Sequence, residues 1–282
     1  MIARLGLVRR ALLGALLLVI LSLVHGNMDL LSDSFWYIAT GRAVLDTGLF
    51  PAVDPYSYTA MRTPWVVHMP GSVVLFAWLD RHVGIQSIVP VCVLVETAAL
   101  GILWLSSSRS TAGRVALFPL IAFTVYLQRD DLCARGQVFG DLLFALLLII
   151  AARFRDGRPV RWWIAPLLGA GWVNLHSSFL LGVLIPVIGA VGQVFDPREK
   201  RHSMVGSWVF AMLLALGTLV NPYGTALVRD VLTLASHPTT QQQTLFVSPD
   251  FWRTDTVVTF ALGAVALAGC ARSRETKGNG GR

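Results

Sequence analysis

Carboxylates, guanidinium groups and imidazoles gather in four places along an otherwise apolar chain: Asp29 to Pro70, Arg129 to Asp141, Asn174 to Ser178 and Asn221 to Asp250. Drawn together beside a membrane, such groups could do acid–base and anion-binding chemistry, since a carboxylate takes up a proton and a guanidinium holds an anion. The richest of the four reads DSFWYIATGRAVLDTGLFPAVDPYSYT, from Asp33 to Thr59, where acids, tyrosines and prolines crowd together. Cysteine adds no comparable pattern. Cys92 and Cys270 lie in apolar runs and Cys133 in a polar loop, which gives neither metal-ligand spacing nor a disulfide framework.

The elements that must position these groups are apolar helices. Hydrophobic residues make up 55% of the 282 and charged residues 14%, against about 25% charged in an ordinary soluble domain, and the mean hydropathy is +0.63. An all-helical, polytopic membrane protein follows, because a spanning helix needs about 20 apolar residues and satisfies its own backbone. Eight runs come near that description, at 8–25, 85–105, 114–128, 137–152, 162–174, 177–195, 204–220 and 255–271, so a bundle of about eight transmembrane helices is expected.

Basic residues near helix ends stay in the cytoplasm. With the N-terminus inside, the inner segments hold Arg4, Arg9, Arg10, Arg109, Arg114, Arg153 to Arg161, Arg198 to Arg201 and Arg272 to Arg282, sixteen of the 23 basic residues. Both termini are then cytoplasmic, and all four polar clusters emerge on the outer side. The pI of 9.9 does not point to nucleic acid, because the basic residues are dispersed in short loops instead of forming a stripe. His25 to Met28 lack a small-x-small cleavage site, so the first run reads as a retained signal anchor. No soluble domain is long enough to fold separately. Residues 1–271 form one membrane domain, with external loops at about 26–84 and 221–254, and 272–282 read as a disordered cytoplasmic tail.

Within the first loop, Ser32 or Asp33 can cap a helix that runs to Asp46 and stops at Thr47 and Gly48. A turn follows at Pro51, Asp54, Pro55 and Ser57. The stretch 71–82 is amphipathic and too short to span, so it is expected to lie flat on the outer surface. The run from Trp162 to Phe195 should break at Asn174 to Ser178, and Asn221 to Gly224 should form a helix-ending turn. Glu96, an acid in mid-span, is expected to be neutral and to serve helix packing.

Seven pieces in order, DSFWYIATGR, DPYSYT, WVVH, ARGQVF, WVNLHSSFLLG, NPYG and SPDFW, cover Asp33 to about Phe251. In that order they resemble a largely uncharacterised bacterial branch of the GT-C-type membrane glycosyltransferases, with its patterns D-P-F-S-Y-T, R-x-Q-x-F-S, W-x-N-L-H-G-G-F and N-P-Y-G. The resemblance implies a module of seven membrane helices, with two surface helices in a first external loop that carries the catalytic acid. It implies transfer of a sugar from a polyprenyl-phosphate donor, with inversion, to an acceptor hydroxyl outside the cytoplasmic membrane. Asp33 then becomes the general base. Arg135 and His176, with His68 and Arg129 behind them, would meet the charge developing on the leaving phosphate, and Asp29, Asp54 and Trp36 would complete the substrate-binding set. The implied partners are a polyprenyl-phosphate-linked sugar, membrane lipids, a glycan, lipid or protein acceptor, and a further membrane protein. A divalent metal stays open as a cofactor.

Each of these residues also has a plainer reading. Asp33 can cap a helix, Asp29 and Asp54 can serve cap and turn, Arg135 can snorkel to the interface, and His176 can cap backbone carbonyls in a turn. Trp36, Trp65 and Trp252 suit the membrane interface as well as a sugar ring. The chain departs from the branch at Tyr37, where His is usual, at Met69 to Gly71, where acids are expected, and at Leu245 to Val247, where Glu-Trp is expected. These departures support an alternative, a catalytically inert membrane subunit or assembly factor. A transporter ranks lower because the midplane offers little beyond Glu96.

Overall fold

The computed structural model describes residues 2–30, 32–59, 61–107, 110–127, 132–156, 158–194 and 201–236. Contacts divide the chain into two units, Met1–Leu232 and Thr233–Arg282. The predicted last span at 255–271, the SPDFW piece and the tail at 272–282 lie outside the described residues.

The described residues are all-α. Their helices are α1 (Ile2–His25), α2 (Ser32–Thr47), α3 (Pro70–His82), α4 (Ile88–Ser107, entered through a 3-10 turn at Ile85–Ser87), α5 (Thr111–Leu127), α6 (Gln137–Arg155), α7 (Ile164–Leu175), α8 (Phe179–Val194), α9 (Arg201–Gly217) and α10 (Thr225–Ser236). The seven apolar runs from 8–25 to 204–220 therefore recur as helices, yet the expected count of about eight crossings is overturned. Among the described residues, three helical stretches are long and apolar enough to cross a bilayer: Val8–His25, Ile85–Ser107 and Gln137–Phe154.

The reason is length. The hydrocarbon core is about 30 Å thick, and at about 1.5 Å per residue the 12 residues of α7 reach only about 18 Å. The apolar parts of α5, α8 and α9 are likewise short of 18 residues, and α5 and α8 carry Pro119 and Pro186 inside them, each of which removes a helical hydrogen bond. The chain is a multi-pass membrane protein with three such helices among the described residues, and the seven-helix module that the resemblance implies is corrected with the count.

Two apolar cores hold the helices. In the first, Ile20 and Val24 of α1, Ile38 of α2, Val73 and Phe76 of α3, Cys92 and Trp104 of α4, and Val138 and Phe139 of α6 pack together. The second joins Leu147 and Phe154 of α6 to Trp172 of α7, Phe179 of α8, Phe210 and Leu214 of α9, and Leu227 of α10. One helix, α6, thus belongs to the first core through its opening turns and to the second through its later ones.

Where α7 crosses α9 the backbones nearly touch. A Cβ on Gly169 would collide with the Leu214 carbonyl, and one on Gly217 with the Pro166 carbonyl. The outer faces of α8 and α9 are apolar, with Leu181, Leu184, Ile188 and Val191 on one and Val205, Trp208, Met212 and Leu216 on the other, all exposed. This is the pattern of a surface that meets lipid.

The loop between α1 and α4 is built mainly of α2 and α3. α2 carries Asp33 in its first turn and ends at Thr47, where Thr47 and Gly48 predict a stop. α3 opens on Pro70, whose fixed φ suits a first helical position. Instead of lying flat on a surface, α3 buries Val73, Phe76 and Leu79 in the first core. Arg42 pairs with Asp80 at 2.5 Å and Arg81 with Asp46, so α2 and α3 are held by two ion pairs as well.

Candidate functional site

A short clasp sets the site. After α1 the chain passes Asp29, whose carbonyl accepts the Ala134 N–H at 2.9 Å. Ser34, one turn into α2 and fully buried, donates its hydroxyl to the Ala134 carbonyl at 2.6 Å. With Ala134 held on both sides, the next residue has little freedom, and Arg135 Nη1 lies 3.9 Å from Asp33 Oδ2. Arg135 Nη2 donates to Gln137 Oε1 at 2.7 Å.

The side chains differ in exposure, 46% for Asp33 and 17% for Arg135. An accessible carboxylate therefore stands beside a shielded cation.

His176 closes the arrangement from the other core. It ends α7 in extended conformation, at the break predicted for Asn174 to Ser178. Asn174 secures that corner by donating to the Ala170 and Val220 carbonyls, each at 2.7 Å. The imidazole is tied down as well: Ser178 N–H donates to Nδ1 at 3.2 Å, the Ser178 hydroxyl lies 2.8 Å from the same nitrogen, and Trp172 Nε1 donates to that hydroxyl at 3.0 Å. A backbone N–H can only donate, so Nδ1 is the acceptor and the ring proton sits on Nε2.

Burial, and after it the Arg135 charge, pushes the His176 pKa down to about 4. The ring is neutral at neutral pH. It can donate one hydrogen bond to an anion but brings no charge, and it accepts a backbone N–H where the plainer reading had it capping carbonyls. The first turn of α6 presses against it, since a Cβ on Gly140 would fall 2.9 Å from Nδ1.

Tyr37 lies next to Asp33 in the buried wall. Burial and then the Asp33 charge raise its pKa, which keeps the phenol protonated. Trp36 stands edge-on to Tyr37 at 4.3 Å and is tilted against Trp65 at 5.7 Å. Trp65 in turn meets Tyr56 at 5.9 Å, so Trp36 belongs to an aromatic wall beside Asp33.

The other predicted site residues fall elsewhere. Asp54 is spent on a turn, where its Oδ1 accepts the N–H of Tyr56 at 2.7 Å and of Ser57 at 3.0 Å. Hydrogen bonds from the Ser57 side chain and from these amides hold its pKa low. Asp29 contributes its carbonyl, with its side chain exposed. His68 Nε2 lies 2.7 Å from Asp230 Oδ2 of α10, an aspartate the sequence reading did not single out. Arg129 lies outside the described residues.

Asp141 was also missed. It sits in the first turns of α6, and an acid just inside an apolar run was the signal that could have found it. The NPYG piece is the turn its residues predict: Asn221 Oδ1 accepts the Tyr223 N–H at 2.8 Å, and Nδ2 donates to the Thr218 and Gly224 carbonyls.

A cavity of about 390 Å³ opens between α6, α8 and α9, with Leu147, Phe154, Pro186 and Phe210 on its walls. None of Asp33, Arg135 or His176 lines it. Among the described residues no three His, Cys, Asp or Glu come together as metal ligands. Compared with family models, with curated proteins and with solved structures, the chain finds no match in any of the three.

Proposed function

We propose that this protein is a glycosyltransferase of the cytoplasmic membrane, moving a sugar from a polyprenyl-phosphate donor to an acceptor hydroxyl on the outer side. The observation that carries the reading is the half-exposed Asp33 carboxylate 3.9 Å from the shielded Arg135 guanidinium. Two groups of opposite demand, one able to take a proton and one able to hold an anion, stand within the span of a single reacting sugar.

In this mechanism Asp33 accepts the hydroxyl proton as the acceptor oxygen bonds the anomeric carbon. The bond from that carbon to the phosphate oxygen breaks on the opposite face, which inverts the centre. The lipid phosphate leaves with the electron pair, Arg135 balances its charge, and neutral His176 offers its Nε2–H. The aromatic wall of Trp36 and Trp65 supplies a flat apolar surface for a sugar ring. The ordered motifs from DSFWYIATGR to NPYG, with their resemblance to GT-C-type enzymes, support the same chemistry. The acceptor is a glycan, lipid or protein, and membrane lipids surround the site.

One observation favours a second reading, an inert membrane subunit. Ser34, Asp29 and the 132–136 segment are all engaged in the clasp, so Arg135 could serve only to tie α2 to α6. Transfer of labelled sugar from a polyprenyl-phosphate donor by purified protein separates the two. The near-isosteric Asp33→Asn should lower turnover by about 10²–10⁴-fold, the usual worth of a general base, with the fold intact by circular dichroism. Turnover unchanged by Asp33→Asn would remove Asp33 from its role, and an inactive wild type with every donor would favour the inert subunit.

A further inference from the structure

The cavity between α6, α8 and α9 takes no part in the chemistry proposed for Asp33 and Arg135, and α6 fixes its depth in the membrane. Arg135 stands just before the spanning stretch Gln137–Phe154, and Phe154 closes that stretch. At about 1.5 Å per residue the two ends of the stretch lie about 25 Å apart. On this helix the cavity is lined between Leu147 and Phe154, so it lies in the leaflet remote from Asp33 and Arg135.

The opening of the cavity comes from α8. Pro186, Gly189 and Gly192 recur every third residue along its wall, a spacing that keeps them on one helix face. A Cβ on Gly189 or Gly192 would meet nothing within 4 Å, and both glycines are exposed. The cavity is therefore open along a strip without side chains, on a helix whose outer face is apolar. Its volume of about 390 Å³ falls within the range of small-molecule sites, about 300–1,000 Å³, and its walls suit a hydrocarbon chain.

At the end of α6 the surroundings become basic and aromatic. Phe154, on the cavity wall, meets Trp162 at 6.1 Å and Phe210 at 5.5 Å, which holds the segment before α7 against that end of the cavity. Arg153 Nη2 donates to the Pro159 carbonyl at 2.9 Å, and the Arg158 N–H donates to the Arg153 carbonyl at 2.9 Å, so the chain doubles back on the helix end. Arg153, Arg158 and Arg161 are all exposed. Asp156, whose Oδ2 lies 3.8 Å from Arg158 Nε, is the one acid in the sequence from 153 to 161, so positive charge prevails. Trp162 and Trp163 are exposed beside them, and such amphipathic rings settle at headgroup level.

We propose that this cavity binds one anionic phospholipid, with an acyl chain along Gly189 and Gly192 and the headgroup phosphate against Arg158 and Arg161. Basic pockets between membrane helices hold anionic headgroups in this manner. The apolar walls treat all acyl chains alike, so selection falls to the headgroup charge. The site does not depend on the transfer reaction.

The test is native mass spectrometry of the full chain in detergent, titrated separately with dioleoyl phosphatidylglycerol and dioleoyl phosphatidylcholine. Their tails are identical and their headgroups differ in net charge. The expected result is one phosphatidylglycerol retained per chain, with Kd about tenfold tighter than for phosphatidylcholine, the worth of one or two arginine contacts. Gly189→Leu fills the strip with a better helix former and should retain neither lipid. Gly14→Leu on α1, where a Cβ also meets nothing within 4 Å, should bind as the wild type does. The double variant Arg158→Gln, Arg161→Gln should bind both lipids equally.

Equal affinity of the wild type for the two lipids, or retention that survives Gly189→Leu, would overturn the proposal. A dimer of the chain abolished by Gly189→Leu would give the groove to a second copy and overturn it too. So would displacement of the phospholipid by an equal concentration of polyprenyl phosphate, which would give the groove to that lipid.

Discussion

A histidine held neutral by burial has a measurable consequence at the scale of single residues. His176 titrates near 6.5 when unfolded and at about 4 in the fold. Between those values the unfolded chain binds more protons than the folded one, so stability rises with pH across that window. The contribution is fully present above about pH 6.5 and is lost as pH falls towards 4, amounting to about 3 kcal/mol for a shift of this size. Thermal unfolding in detergent should show wild type losing stability over that interval relative to His176→Gln. Parallel pH profiles for the two proteins would mean that His176 is not held neutral.

The site was partly legible at this scale. Asp33, Arg135 and His176 stand out as polar residues in apolar surroundings, and the first two lie 3.9 Å apart. Asp54 was named for the same reason, yet its pattern Asp-Pro-Tyr-Ser is also that of a turn, and the turn is what the carboxylate serves. Asp141 was read only as the end of a polar cluster, and Asp230 went unread because its importance comes from His68, which faces it from another part of the chain and which one-dimensional spacing does not carry.

At the scale of elements, the crossing of α7 and α9 sets a sharp contrast among glycines. Gly169→Ala and Gly217→Ala would each push a methyl group into a carbonyl of the other helix, and overpacking of that kind costs about 1–3 kcal/mol. At Gly171, on the same α7, a Cβ would meet nothing within 4 Å. Gly171→Ala should be neutral or stabilise by up to about 1 kcal/mol through helix propensity. Unfolding midpoints of the three variants would check this, and equal effects at Gly169 and Gly171 would refute the close crossing.

Helix positions were readable from apolar runs because a run of that composition folds as a helix whether or not it spans. Length was the less legible quantity. The run from Trp162 to Phe195 divides at His176 into α7 and α8, and each half is too short to cross by itself. The amphipathic stretch at 71–82 reads as a surface helix in isolation. Only the partners α2, α4 and α7 show that its apolar face belongs to the core.

At the scale of the whole molecule, the clasp puts the loop after α1 and the loop before α6 on one side of the membrane, so after α4 crosses, the 17-residue α5 must return the chain through a locally thinned bilayer. Cys92 and Cys133 are buried and therefore poor reporters. Tyr58, at 96% exposure, is the better position. In a Cys270→Ser background, Tyr58→Cys should react with an impermeant thiol reagent in intact cells. Arg158→Cys, on the loop after α6, should react only after permeabilisation. Labelling of Arg158→Cys in intact cells, or of Tyr58→Cys only after permeabilisation, would contradict the outward-facing site.

The most direct test of the account asks whether Asp33 and Arg135 act as one site. A double-mutant cycle with Asp33→Asn and Arg135→Gln, read as labelled sugar transferred from a polyprenyl-phosphate donor, measures that coupling. The account predicts strong non-additivity, with the double variant scarcely worse than the poorer single variant. Losses that simply multiply, or single variants as active as the wild type, would contradict it.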